Sequence, residues 1–158
     1  MLQITAIRKA PVETVPALYW WAANFGRYLT TKPVLKRIES REIIETAMHR
    51  IATLDEDYYY GGPTRFFGTF YSRLPGVPLD RAKSNFDQSL SDSPDYLGTR
   101  VLRARYYHTK LGNQDLFEED LNYVINADPS ILPDAMPENL FEQEKAKELL
   151  KHTSILFE

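Results

Sequence analysis

No cysteine occurs in the 158 residues, which excludes disulfide frameworks, thiolate metal sites and cysteine nucleophiles. A basic excess is missing too: 19 Lys and Arg against 22 Asp and Glu leave a net charge of −3. A nucleic-acid surface needs a positive field, so no nucleic-acid partner is expected. Long apolar runs are absent. The best candidate, residues 17–25, is only nine residues long with Asn24 inside it, whereas a membrane span needs about 20. The opening MLQITAIRKAP has neither a continuous apolar stretch nor a small-residue cleavage site, so it does not read as a signal peptide. Strand-type alternation persists nowhere. Catalytic and cofactor motifs are also missing. No serine sits in an elbow, Gly61-Gly62 lacks the Lys-Ser/Thr of a phosphate loop, and His49, His108 and His152 fit no metal-ligand spacing. The acidic runs at 55–57 and 118–120 lack the glycine of a calcium loop and read as solvated helix faces. A non-enzymatic protein without cofactor or metal is expected.

What the chain does contain is a recurring stripe. Ala47, Ile51 and Leu54 return as Ala82, Phe86 and Ser89, then as Phe117, Leu121 and Val124, each set 35 residues after the last. An i, i+4, i+7 pattern belongs to a helix that buries one face. Five residues past each set stand Tyr59, Pro94 and Pro129, and proline ends a helix. A period of about 34 residues is that of tetratricopeptide (TPR) helical repeats. With 43% hydrophobic and 26% charged residues the composition is globular. The expected architecture is all-α: antiparallel helix pairs stacked as a TPR-like right-handed solenoid of about seven helices, one domain over residues 1–158. Helices are expected at 17–29, 35–54, 64–74, 79–90, 96–111, 114–126 and 138–152, with 58–63 as a connector. Gly68 fits the small residue needed where two helices cross, and Ala104 the equivalent place in the next pair.

Seven of the fourteen residues from 58 to 71 are aromatic. Phe67, Phe70 and Tyr71 read as core. Three consecutive tyrosines at 58–60 cannot all point inward, and Tyr60 is expected at a groove. With Gly68 at the crossing, Arg65, Thr69 and Ser72 share the opposite, concave face. Arg65 could there hold a carboxylate or carbonyl, or it could tie the Gly-Gly-Pro turn to a neighbouring helix. Arg105 and His108 extend the expected binding face. Asn139 reads as a capping residue or an amide that closes buried backbone groups. On the first helix, Leu18, Ala22, Phe25 and Leu29 form one apolar stripe, and Tyr19, Trp20 and Ala23 extend apolar surface to another side. That surface is expected to meet a second copy or a tight partner, unless residues 1–15 fold back over it with Leu2, Ile4 and Ile7.

The run MHRIATLDEDYYYGGPTRFFG at 48–68, with ALYWWAANFGRYL before it, resembles the TRAP transporter T-component family, the TatT-like proteins. Ala82 with Phe86, SPDYL at 93–97, Phe117 with Leu121 and Val124, PEN at 137–139 and Ala146 with Leu149-Leu150 complete the likeness over about residues 17–157. The resemblance implies a periplasmic helical repeat protein associated with the solute-binding protein of a TRAP-type uptake system, helping to deliver a small organic or hydrophobic ligand. Family members commonly carry a lipoprotein leader with an anchoring cysteine and further helices ahead of the Ala-Leu-Tyr-Trp segment. This sequence shows neither, so it is expected to be the C-terminal part of a longer protein or a shortened relative, periplasmic by resemblance and cytoplasmic if full-length. The alternative from the groove alone is a general TPR adaptor that holds a peptide or protein tail.

Overall fold

A computed structural model describes residues 2–158 and is 81% helical, with no strand among the described residues. In chain order the helices are α1 (Leu2–Arg8), α2 (Val15–Leu29), α3 (Val34–Glu39), α4 (Arg41–Leu54) and α5 (Tyr58–Arg73). They continue as α6 (Leu79–Asp92), α7 (98–111), α8 (Gln114–Asn126), α9 (Met136–Lys151) and the short α10 (Thr153–Leu156). Helices pack mainly on their neighbours in sequence or next but one, and α5 packs most extensively on α6.

The recurring stripe is the buried face of α4, α6 and α8. Ala47, Ala82 and Phe117 are fully buried, as are Ile51, Phe86 and Leu121 one turn on. Two clusters result. Ala47, Met48, Ile51, Phe67, Tyr71, Ala82 and Phe86 form the first with residues of α2. Leu97, Val101, Ala104, Phe117, Leu121, Val124 and Ala146 form the second. Two glycines permit close approach. A Cβ on Gly68 would lie 2.8 Å from the Phe86 ring, and one on Gly62 would lie 2.7 Å from the Tyr19 hydroxyl. Helix interiors disfavour glycine by about 1 kcal/mol relative to alanine, so at Gly68 the contact with Phe86 outweighs propensity.

Three departures from the expected elements have physical causes. The helix expected over 35–54 breaks at the buried Ser40. Extending the Ile44/Ala47/Ile51 face back by i−4 and i−7 would bury Ser40 and Arg37, and an arginine there is costly. The turn at Ser40 takes α3 off that line, leaving Leu35 and Ile38 exposed. Within α7, the stretch Arg103–His108 is wound as a π-turn. In a regular α-helix residues five apart diverge by about 140°, but a π-turn brings them to one side. Arg103 and His108 both reach Asp120 as a result. Third, the connector expected at 58–63 is the first turn of α5, in left-handed form. Tyr59 (φ 51, ψ 51), Tyr60 (φ 57, ψ 55) and Gly61 (φ 67, ψ 32) are consecutive, and the right-handed helix follows.

At the N-terminal end, α1 packs on α4 and Ile7 joins the first cluster. The guanidinium of Arg50 donates to the Ala10 carbonyl through Nε and Nη2, at 2.9 and 2.7 Å. Residues 2–10 thus fold back over α4, while Trp20 and Trp21 on α2 stay exposed. The side chain of Leu2, expected to take part in such a cover, lies outside the described residues. No helix of the described residues is long and apolar enough to cross a membrane.

Candidate ligand cavity

α2, α5, α7 and α9 form most of the wall of an open cavity of about 760 Å3, a size typical of small-molecule sites. Most of the residues each helix gives it lie beside its buried stripe. α2 supplies Trp20, Ala23 and Arg27 at i, i+3, i+7. α5 supplies two parallel rows, Phe66 with Phe70 and Arg65 with Thr69 and Arg73, each stepping by four. Val101, Leu102, Arg105 and Tyr106 come from α7, and Glu138, Phe141, Glu142, Lys145 and Leu149 from α9. The Phe66 and Phe70 rings stack at 5.6 Å, making a flat apolar surface.

Of the residues expected at a binding surface, Arg65, Thr69 and Arg105 line this cavity. Tyr19, Trp20 and Ala23, expected to meet a second chain, also lie on its wall; Tyr19 is buried and Trp20 is 45% exposed. Tyr60 and His108 are placed elsewhere. The left-handed turn stacks the Tyr60 ring on Tyr96 at 5.2 Å and presents Tyr59 to the cavity in its stead. His108 is buried against Asp120, 3.1 Å away. Sequence reasoning passed over Tyr59, Phe66, Tyr96, Tyr106 and Phe141, and it read Phe70 as core. The spacing of Phe66 and Phe70 beside Arg65 and Thr69 was the available signal, since rows on adjacent sides of one helix face the same space.

Arg65 organises the end of the cavity. It is 4% exposed and donates through Nη1 to the Tyr60 carbonyl at 2.8 Å and through Nη2 to the Tyr59 carbonyl at 2.9 Å. Its guanidinium carbon lies 4.3 Å from the Tyr96 ring centroid and 5.7 Å from that of Tyr59. A non-glycine residue in the left-handed region costs about 1–2 kcal/mol, and here two follow each other. The two charge-assisted bonds from Arg65 offset that strain. Tyr59 then spans the space, its ring 5.0 Å from Trp20 and its hydroxyl 3.3 Å from Glu138 Oε1 on α9. Burial pushes the Tyr59 and Tyr96 phenols above their ordinary values, so both stay neutral at physiological pH. Asn139 fixes the remaining wall. Fully buried, it accepts from the Leu97 N–H at 3.0 Å and donates to the Asp95 carbonyl at 3.0 Å, holding the segment that carries Tyr96 and Gly98.

Behind α7, Asp120 is 2% exposed and accepts from Arg100 at 2.9 Å, from Arg103 at 2.7 Å through both Nε and Nη2, and from His108 at 3.1 Å. Burial opposes its ionisation, but His108, Arg103 and Arg100 prevail and hold its carboxyl at about 2. This cluster clamps α7 to α8 and fixes the helix that carries Arg105 and Tyr106.

The family description "TRAP transporter T-component" matches residues 4–157, almost the whole chain. The chain belongs to the TRAP transporter T-component family. Among curated proteins, none matches it. Membership in this family points to an accessory role in TRAP transport. The T-component residues that line the cavity come mainly from α2, α5, α7 and α9, so the site exists only when both halves of the chain are folded together.

Proposed function

We propose that this T-component is a non-enzymatic, TPR-like right-handed solenoid of the periplasm that binds a small organic or hydrophobic ligand in the cavity between α2, α5, α7 and α9. In that role it assists the solute-binding protein of a TRAP-type uptake system. The observation that carries the reading is the cavity itself: about 760 Å3, walled by Trp20, Phe66, Phe70, Tyr106 and Phe141, in a chain of this family. Large concave apolar surfaces with a few convergent polar groups are what ligand sites look like. Within it, Arg65, Thr69 and Arg105 are the polar contacts. Tyr60 supports the wall through Tyr96, and His108 supports it through Asp120 and α7.

The test uses N-phenyl-1-naphthylamine, a neutral apolar dye that fluoresces out of water. It should bind at one molecule per chain, and Phe70→Glu should abolish binding by putting a charge in the apolar wall. A signal of undiminished strength in Phe70→Glu would remove the cavity as the site.

A protein partner is supported by a separate observation. Trp21 (41% exposed), Tyr28 (52%), Leu35 (68%) and Ile38 (51%) leave apolar side chains exposed on α2 and α3. Contiguous exposed apolar surface marks interaction sites. This surface is proposed to meet the solute-binding protein or a second copy of the chain, with Trp20 at the edge shared with the cavity. A peptide or protein tail in the cavity, as in a general TPR adaptor, is the competing occupant. Co-purification with the solute-binding protein that is lost in Leu35→Glu would support the first reading.

A further inference from the structure

The cavity lies between two packed halves. Its α2 and α5 walls belong to the cluster that includes Met48, Ile51 and Phe86, and its α9 wall, with the start of α7, to the cluster that includes Leu97, Phe117 and Ala146. One end is tied. Tyr96, which leads into α7, stacks on Tyr60 at 5.2 Å and lies 4.3 Å from the Arg65 guanidinium carbon, measured from the ring centroid. At the same end the Tyr59 hydroxyl donates to Glu138, in the first turn of α9, at 3.3 Å, and the Tyr59 ring meets Trp20. Trp20, Tyr59 and Glu138 each lie nearer the start of their helix than its end. Because α2, α5 and α9 all line the cavity from there on, Arg27, Arg73 and Glu148 mark its far end.

The two lips differ in charge. On the first half Arg27, Arg37, Arg65 and Arg73 line the cavity with no carboxylate among them, whereas α9 contributes Glu138, Glu142, Glu144 and Glu148 with Lys145. Among the described residues none of those four arginines forms an ion pair. Glu142, Glu144 and Glu148 each hold a lysine three residues on in their own helix, and the Glu144 and Glu148 side chains do so 68% and 63% exposed. Ion pairs in water contribute little and exchange partners readily. Large apolar side chains also stand on both lips, Trp20 at 45% and Phe141 at 61% exposure. Facing surfaces of opposite charge that both expose apolar groups draw together once something fills the space between them.

We infer that the two halves close on a ligand about the end tied by Tyr59, Tyr60 and Tyr96, bringing the arginines of α2, α3 and α5 onto the glutamates of α9. This rests on the ligand reading above and adds the motion that regulates the same site. The pivot is stiff, because Arg65 fixes the backbone on one side of it and Asn139 on the other. Closure covers Trp20 and Phe141 and takes the ligand out of water.

The chain has no cysteine, so nitroxide labels attach only where one is introduced. Thr30→Cys with His152→Cys spans the far end of the cavity, and Gln114→Cys with His152→Cys stays within the second half. All three positions are exposed. Double electron–electron resonance with saturating N-phenyl-1-naphthylamine should show the 30–152 distance shortened by more than about 2 Å and the 114–152 distance unchanged. Arg27→Gln with Arg73→Gln should remove most of the shortening, as should screening by about 1 M salt. A 30–152 distance that stays the same with the dye bound overturns closure and leaves the ligand reading standing. Shortening that survives undiminished in the arginine variant and in salt overturns the role of the charged lips. An equal shift in the 114–152 distance would place the motion in α9 alone and overturn the pivot. If the dye does not bind, the ligand reading fails and closure with it.

Discussion

Arg65 shows how one side chain can serve a wall and a backbone at once. Its two bonds hold the Tyr59 and Tyr60 carbonyls of a left-handed turn that two tyrosines would not adopt unaided. Arg65→Ala should therefore cost about 3 kcal/mol, the range for two charge-assisted bonds lost from a buried site. For a chain of this size that lowers the melting temperature by roughly 6–12 °C. Arg65→Lys should recover little, since one ammonium cannot span both carbonyls in a fork. A fall of under 2 °C in thermal denaturation of Arg65→Ala would show the turn is held by something else. The sequence left both roles of Arg65 open, binding face or tie to the Gly-Gly-Pro turn. What it could not display was a left-handed backbone at Tyr59 and Tyr60, because tyrosine carries no signal for that conformation.

Asp120 is the second residue whose environment makes a forecast. Its folded value of about 2 lies below the ordinary 3.8. A depressed carboxylate adds stability above the unfolded value and loses it as pH falls through the folded one. About 2 kcal/mol should therefore disappear between about pH 4 and pH 2. Asp120→Asn should flatten that part of the stability–pH curve and cost about 3–5 kcal/mol at pH 7, because Arg100 and Arg103 lose a buried counter-charge. Urea denaturation at stepped pH measures both. A wild-type curve that stays flat below pH 4 would contradict the cluster's role.

At the scale of elements, periodicity was the legible part. The stripes at Ala47, Ala82 and Phe117 mark the buried faces, and the boundaries of α8 agree with expectation because Asn113 caps it and Asp128-Pro129 follows it. The π-turn in α7 and the break at Ser40 were not legible, since each answers to a distant partner or to what a straight helix would bury. The α5–α6 contact offers a clean test. Gly68→Ala places a methyl 2.8 Å from the Phe86 ring, which is fully buried and has nowhere to move. Alanine's helix propensity favours the change by about 1 kcal/mol, whereas overpacking costs about 1–3 kcal/mol. A net loss of up to about 2 kcal/mol is expected. Phe86→Ala should cost about 3–5 kcal/mol by leaving a cavity. Chemical denaturation in which Gly68→Ala is more stable than the parent would mean the two helices can spread apart.

The whole molecule explains why half of the site stayed hidden. Repeat spacing shows which side of each helix is buried, but not which second sides face a common space. Trp20, Phe70, Tyr106 and Phe141 are separated by at least 35 positions and meet only through the stacking of α2, α5, α7 and α9. That Arg65 and Thr69 face the cavity was legible because they lie opposite the crossing Gly68. Ligand binding in this cavity is the proposal on which the rest depends. A crystal structure of the chain grown with N-phenyl-1-naphthylamine tests it most directly. The account predicts density for the dye against Phe66, Phe70 and Phe141. Well-resolved cavity walls with no dye between them, or dye bound only on the exposed α3 surface, would contradict it.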